Sequence, residues 1–396
     1  MGTRHALVAG GGISGLATAL ALHRQGWAVT VAERSVSPAP VGSGIALAPN
    51  ALRALDALGV VDEVHAWSVR LDSMGIRNPD GRWLLRLDPA RIRRRFGAPF
   101  VVMQRVDLVR ILADRLPPDS LSLGTTVHDI AVGGPDTPAR AATSRGELEA
   151  DLVVVADGLR SAVRSRLFPA HQGPAHAGFT VWRAVVPALE GGVSAGETWG
   201  SGGVVGVLPM PDGEVYCYAT AAVPPGTLFV DERAETLRRF GDWHTPIPEL
   251  LAAATPRTLL RNDIFHLNRP LSVLHRGRAV LVGDAAHPMT PSLGQGACQA
   301  LEDAVVLAHA VREGSDVVRT VHGYTADRLE RTSTVIRRSA RLGRLVHRES
   351  RAATRARWAA AALVGRLPFD VATRQLGAIA AWEAPPLGVA RGIRGG

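Results

Sequence analysis

The chain has 396 residues, 46% of them hydrophobic and 20% charged, with a formal net charge of +9. That length exceeds what one core usually serves, so an α/β body with a second layer or inserted domain is expected, and no run approaches the ~20 apolar residues of a membrane span, which argues against stable membrane insertion. The basic residues are all arginine: without a lysine, Schiff-base, P-loop and kinase-type lysine chemistries are excluded, and dispersed arginines without an aromatic stacking motif argue against nucleic acid as a partner.

In chain order, His5 to Ala9 reads as a strand, Gly10 to Gly15 as a glycine turn, the Ala/Leu-rich stretch to Gln25 as a helix, and Ala28 to Ala32 as a strand ending at Glu33, together a βαβ unit. The first apolar segment runs straight into glycines and lacks the layout of a signal peptide, so a cytoplasmic location is expected. A second apolar strand, Leu152 to Ala156, ends at Asp157-Gly158, and a third, Ala279 to Val282, ends at Gly283-Asp284 ahead of a helical stretch from Gly296 to Arg312. Continuous apolar strands of this kind suit a parallel sheet covered on both faces. From about Gly173 to Pro270 the texture changes. Alternating runs at Val204 to Leu208 and Glu214 to Thr220, around Pro211-Asp212-Gly213, predict an antiparallel hairpin within an inserted sheet. Beyond Val321 the chain is helical and Arg-rich through Leu367, with Arg328 to Arg357 read as a solvated basic face, and the Gly/Pro-rich end is expected to be loosely ordered. Cys217 and Cys298 are too few for a disulfide framework or a Cys-type metal site and read as buried small hydrophobes; no metal is expected.

Gly10-Gly11-Gly12-Ile13-Ser14-Gly15 fits G-x-G-x-x-G directly between a strand and a helix. The first glycine permits the tight turn, the second lets backbone approach a pyrophosphate, and the third lets helix and strand pack closely. Free N–H groups and the helix dipole favour phosphate at that terminus. Glu33, at the end of the second strand, is where a carboxylate accepts the ribose hydroxyls of an adenosine. This much does not separate NAD from FAD.

Gly283-Asp284-Ala285-Ala286-His287, then Pro291, Gly294-Gln295-Gly296 and Glu302-Asp303, resembles the flavin motif of the para-hydroxybenzoate hydroxylase-like (group A) FAD-dependent aromatic monooxygenases, with the look of their salicylate hydroxylase-like members. Three further segments are similar to that family. They are Gln104 to Leu108 with its flavin-contacting Arg105, Asp157-Gly158 with Arg160 and Arg164, and Tyr324 with Arg328 and Arg331. The resemblance implies a Rossmann-like, glutathione reductase-type FAD-binding domain (1–75, 97–172 and 271–345), an inserted antiparallel β-sheet substrate domain (76–96 and 173–270) and a C-terminal helical extension (346–396). The cofactor residues it implies are Gly10, Gly12, Ser14, Gly15, Glu33, Arg34, Gly44, Arg105, Asp157, Asp284, Pro291, Gly294, Gln295 and Gly296. Asp284 would accept a ribityl hydroxyl, and the helix opened by Gly294 to Gly296 would turn its N–H groups to the flavin's pyrimidine edge. His287 belongs to the motif and is expected to have a structural role in the flavin loop.

The family's chemistry implies that NADH or NADPH reduces the flavin, O₂ adds to give a C4a-hydroperoxide, and its distal oxygen passes to a small-molecule substrate. Tyr216 and Tyr218 share a strand face by the period of two, opposite Cys217, and with Pro291 are the first catalytic or substrate-contact candidates; Trp182, Trp199 and Val205 come second. Ala184 to Glu232 holds no arginine. The expected substrate is therefore neutral and largely apolar, an aromatic or polyketide-like molecule, unless Arg183 or one of Arg82, Arg86 and Arg91 reaches inward. An epoxidase or Baeyer–Villiger oxygenase, or a flavin-binding protein without catalysis, is the alternative, and a monomer or homodimer is expected.

Overall fold

The computed structural model describes residues 3–37, 43–312 and 315–388. One layer is a six-stranded sheet in the order His275–Arg276, Ala279–Leu281, Leu152–Val155, His5–Ala9, Ala28–Glu33, Leu121–Leu123. All pairings are parallel except the first. The apolar runs explain this. Ala6 to Ala9, Leu152 to Val155 and Ala279 to Leu281 are buried along their whole length, because helix Ile13–Arg24 packs on the sheet and helix Gly296–Ala310 packs in turn on that helix. Fully burying each leucine or valine here stabilises the fold by about 1.5–3 kcal/mol. A three-stranded antiparallel sheet, Val127–Ala131, Ala139–Thr143 and Gly146–Ala150, adds Ile130, Ala139, Ala141 and Ala150 to the same core.

The inserted sheet has seven strands, in the order Leu260–His266, Ala175–Val186, Val215–Ala221, Gly203–Pro209, Gly196–Trp199, Met74–Arg77, Trp83–Leu87. The expected hairpin is its centre, with a 3-10 turn at Pro211–Gly213. Alternation sorts its two faces. Trp182, Ala184, Val205, Val207, Val215 and Cys217 pack an outer core under helices Glu232–Phe240 and Ile247–Ala253. Tyr216 and Tyr218 point the other way, toward Leu71 and toward Ala46 and Val102 of a separate three-stranded sheet, Gly44–Leu47, Val101–Gln104 and Val69–Arg70. Trp182 and Val205 are therefore not substrate contacts: two helices cover the face they occupy.

The 30-residue helix Val317–Val346 and the helix Arg351–Arg366 tie the layers together. On the first, Ser339 Oγ donates to the Thr290 carbonyl at 2.6 Å. Just past its end, His347 stacks on Phe179 with ring centroids 3.9 Å apart. From the second, Arg357 donates to the Gly200 carbonyl at 3.0 Å and Trp358 Nε1 to the Trp199 carbonyl at 2.7 Å, holding the hairpin tip that carries Trp199. The basic stretch is thus only partly a solvated face: Arg328 and Arg357 are buried. The end of the chain is also better packed than its composition suggests, since Trp382, Ala384 and Leu387 lie against the main core, while residues 389–396 fall outside those described.

Candidate active site

The glycine turn behaves as its spacing demands. Gly10 has φ +115°, and a Cβ there would lie 2.4 Å from the Ala156 carbonyl oxygen; one on Gly15 would lie 1.9 Å from the Gly10 carbonyl oxygen. Gly12 differs, since nothing stands within 4 Å of where its Cβ would be. The first and third glycines are therefore required by packing, and the second opens onto space at the uncapped start of helix Ile13–Arg24. Glu33 closes the turn, accepting from the N–H of Gly11 at 2.6 Å and of Ser35 at 2.7 Å. Arg34 beside it is exposed.

Three other segments converge on the same cleft. Strand Gly44–Leu47 pairs with Val101–Gln104, so that Gly44 lies beside Gln104, and the Arg105 N–H donates to the Ser43 carbonyl at 2.9 Å. Arg164, buried behind Asp157-Gly158, donates to the carbonyls of Leu159 at 2.7 Å and Ala285 at 3.0 Å, tying that turn to the loop carrying Asp284. Asp284 is exposed, yet enclosed enough that burial leads the influences on its carboxyl and raises its pKa, with His287, Arg105 and Arg164 pulling the other way. Pro291 and Gly294 are exposed in the same loop.

Beneath the loop lies a buried polar network. Arg328 pairs with Glu302 at 2.5 Å and Asp303 at 2.7 Å, and Arg331 reaches Glu302 at 2.6 Å. Asp303 Oδ2 accepts from the Gly283 N–H at 2.8 Å and from His287 Nε2 at 2.5 Å. Burial alone would raise the Asp303 pKa, but His287 and Arg328 outweigh it and hold the carboxyl below its usual value. Asn50 Nδ2 donates to Glu302 at 2.6 Å and to Gln295 Oε1 at 3.0 Å. The Gln295 side chain is thus committed to this network. His287 is a loop anchor, bonded to Asp303 and buried. Asn50 had no local signal in the sequence, because its partners lie about 250 residues away.

FAD fits this cradle. Space is open where Cβ atoms on Gly12, Gly158, Gly294 and Gly296 would stand, as close passage of a cofactor requires. Ser14 Oγ, Gln104 Oε1 and Asp157 Oδ1 are buried without a hydrogen-bond partner, and a nucleotide's hydroxyl and phosphate groups are what such atoms await. Among the described residues no group of three or more His, Cys, Asp or Glu could hold a metal ion. Burial pushes the thiols of Cys217 and Cys298 up to about 12, leaving both unreactive.

The tyrosine face of the inserted sheet meets the cleft. Tyr216 lies against Gly44, where a Cβ would stand 2.4 Å from the ring, and is close enough to Arg105 and Arg183 to feel both charges; burial, its largest influence, raises its pKa. Tyr218 is 5.8 Å away between ring centroids. Arg183, register partner of Tyr218, shares this face and donates to Asn262 Oδ1 at 2.9 Å. The expectation of a face without a cation is therefore corrected, since strand alternation turns Arg183 inward. Trp199 is also on this face, its Nε1 donating to Glu197 Oε2 at 2.7 Å.

A family model described as FAD binding domain matches residues 3–339. The chain is 38% identical over 342 residues to the aurachin C monooxygenase/isomerase of Stigmatella aurantiaca, covering 86% of this chain and 88% of that protein. It is 36% identical over 311 residues to the 2-heptyl-3-hydroxy-4(1H)-quinolone synthase of Pseudomonas aeruginosa, covering 76% and 79%. In fold it matches the crystal structure of Klebsiella pneumoniae HpxO complexed with FAD and uric acid, with a TM-score of 0.85, 28% identity, and coverage of 91% of this chain and 93% of that one.

Proposed function

The chain belongs to the FAD binding domain family and is a flavoprotein monooxygenase; from that premise we propose that it uses NADH or NADPH and O₂ to hydroxylate a neutral, largely apolar aromatic small molecule. The observation that carries this reading is the meeting of the Tyr216 and Tyr218 face with Arg105 and Asp284. Bound FAD, once reduced, supplies the oxygen-transferring chemistry. The chain does the rest. Gly10 to Gly15 and Glu33 would hold the adenosine diphosphate half, and Arg105, Asp157 and Asp284 the ribityl and phosphate oxygens. The N–H groups opening helix Gly296–Ala310 would stabilise negative charge on the ring. Leu71, Val102, Met210 and Tyr216 form an apolar wall that keeps water from the reacting atoms.

The relative named as a 2-heptyl-3-hydroxy-4(1H)-quinolone synthase makes an alkylated, uncharged bicyclic aromatic a sound first substrate class. Arg183 favours a second reading, a carboxylated aromatic held by its guanidinium. The test is oxidation of NADH and of NADPH by the FAD-loaded protein, with mass spectrometry of the product. Stimulation by neutral aromatics and a gain of one oxygen atom are expected. Preference for aromatic acids would support the Arg183 reading, and oxidation without any oxygenated product would overturn the hydroxylase.

A further inference from the structure

Glu197 stands across the sheet from Tyr218, and the strand between them is bare. Register pairs Arg183 with Tyr218, Tyr218 with Gly206, and Gly206 with Glu197, so the four share one row on the cleft face. A Cβ on Gly206 would lie 2.1 Å from Tyr218 Cζ. Only glycine lets the tyrosine ring lie across that strand, and it does so to place its hydroxyl on Glu197, to which it donates a short hydrogen bond. The other Glu197 oxygen accepts from Trp199 Nε1 at 2.7 Å. The carboxylate is thus held by two donors, and the tyrosine's one proton is spent. Burial first, and then the charge of Glu197, push the Tyr218 hydroxyl's titration well up, so it stays protonated at neutral pH.

The row is bracketed by cofactor-binding elements. On one side Tyr216 joins it to Gly44 and Arg105. On the other, Tyr218 packs with Phe179, and Gly343 touches both Phe179 and Ser292 of the loop between Asp284 and Gly294. Tyr218 is half-buried and Glu197 partly exposed, as groups facing a substrate space should be.

A hydroxyl whose proton is committed can offer a ligand only its lone pairs. We infer that Glu197, by holding the proton of Tyr218, makes this tyrosine an obligate acceptor, so that the site selects an uncharged aromatic presenting an N–H or O–H donor and rejects one presenting a carboxylate at that point. This rests on the monooxygenase reading and sharpens it. Glu197 is a specificity-determining residue that acts through Tyr218. Arg183 and Glu197 are three strands apart, about 14 Å by sheet spacing. An acidic ligand drawn to the arginine would still have its ring beside a negative carboxylate.

The test is equilibrium binding to the FAD-loaded protein, read by perturbation of the flavin spectrum, using 2-heptyl-4(1H)-quinolone, its N-methyl counterpart and quinoline-4-carboxylate. The N–H quinolone should bind roughly five- to tenfold more tightly than the N-methyl compound, as one hydrogen bond allows. Y218F should abolish that ratio by weakening only the N–H probe. E197A should keep most of that ratio, because the freed hydroxyl still has its lone pairs, but should tighten quinoline-4-carboxylate, to which the hydroxyl can now donate. E197Q keeps an acceptor for that proton, so it should retain the ratio while improving carboxylate binding. Retained FAD and an unchanged melting temperature certify each variant. Equal binding of the N–H and N-methyl probes overturns the inference but leaves a neutral-substrate monooxygenase standing. Tightest binding of the carboxylate, or no binding of any probe, overturns the inference as well, and the former also sinks the neutral-substrate reading.

Discussion

Two glycines of one turn separate packing from ligand binding. Gly15→Ala would drive a methyl group to within 1.9 Å of the Gly10 carbonyl oxygen, so a loss of about 3 kcal/mol or more is expected in chemical denaturation of the cofactor-free protein. Gly12→Ala meets nothing within 4 Å, and its φ of −79° suits any residue. The unfolding midpoint of that variant without cofactor should match the parent's, while FAD affinity in a fluorescence titration falls about tenfold or more. A G12A protein that binds FAD normally would mean the pyrophosphate lies elsewhere. Arg328 is a residue of another kind. Its guanidinium sits between Glu302 and Asp303 in full burial, and both carboxylates help raise its pKa against the opposing effect of burial. Removing it in R328M should cost about 3–5 kcal/mol, because buried Asp303 loses its arginine and Glu302 is left with Arg331 alone. Their partners Gly283 and Asn50 would be disturbed with them, so FAD should dissociate faster during gel filtration.

Among the elements, the end of the long helix Val317–Val346 carries a pH dependence. His347 hydrogen-bonds the Gly343 carbonyl at 2.8 Å and Thr220 Oγ1 at 2.9 Å while stacked on Phe179. Burial, more than the nearby Arg357 charge, pushes its pKa down to about 4. A histidine neutral when folded but protonated when unfolded makes the unfolded state bind more protons between those two pKa values. Stability is therefore whole above the unfolded value near ~6.5 and falls as pH drops toward 4, by about 3 kcal/mol at most. His266 and His275 shift in the same direction and share the slope. H347Q should flatten part of the decline in melting temperature between pH 6.5 and 4; an unaltered slope would show that the imidazole is not held neutral. The joint fastens the helix to the strand that carries Tyr218.

On the scale of the whole molecule, the proposed cofactor cradle draws on segments spread along the chain, at Gly10 to Gly15, Gly44, Arg105, Asp157 and Asp284 to Gly296. A ligand bridging them stabilises the folded state by mass action: FAD at a hundredfold its dissociation constant should add about 2.7 kcal/mol, seen as a rise in melting temperature that G12A diminishes. No helix among the described residues is long and apolar enough to cross a membrane.

The parts of this protein legible in its sequence are those whose physics is local. A tight turn, a close helix–strand approach and a fully buried parallel strand each leave a mark within a few residues, so the βαβ unit and the shared face of Tyr216 and Tyr218 can be read directly, whereas the flavin loop is legible only through its likeness to a family motif. Which face of the inserted sheet would be roofed by helices was not local, and so Trp182 and Val205 were assigned to the wrong side. Nor was strand register, which sums over every turn and pairing in the sheet. Register set Arg183 beside Tyr218 and laid Tyr218 across Gly206 onto Glu197, the packing of two helices joined Asn50 to Glu302, and only the tertiary structure could decide those partnerships.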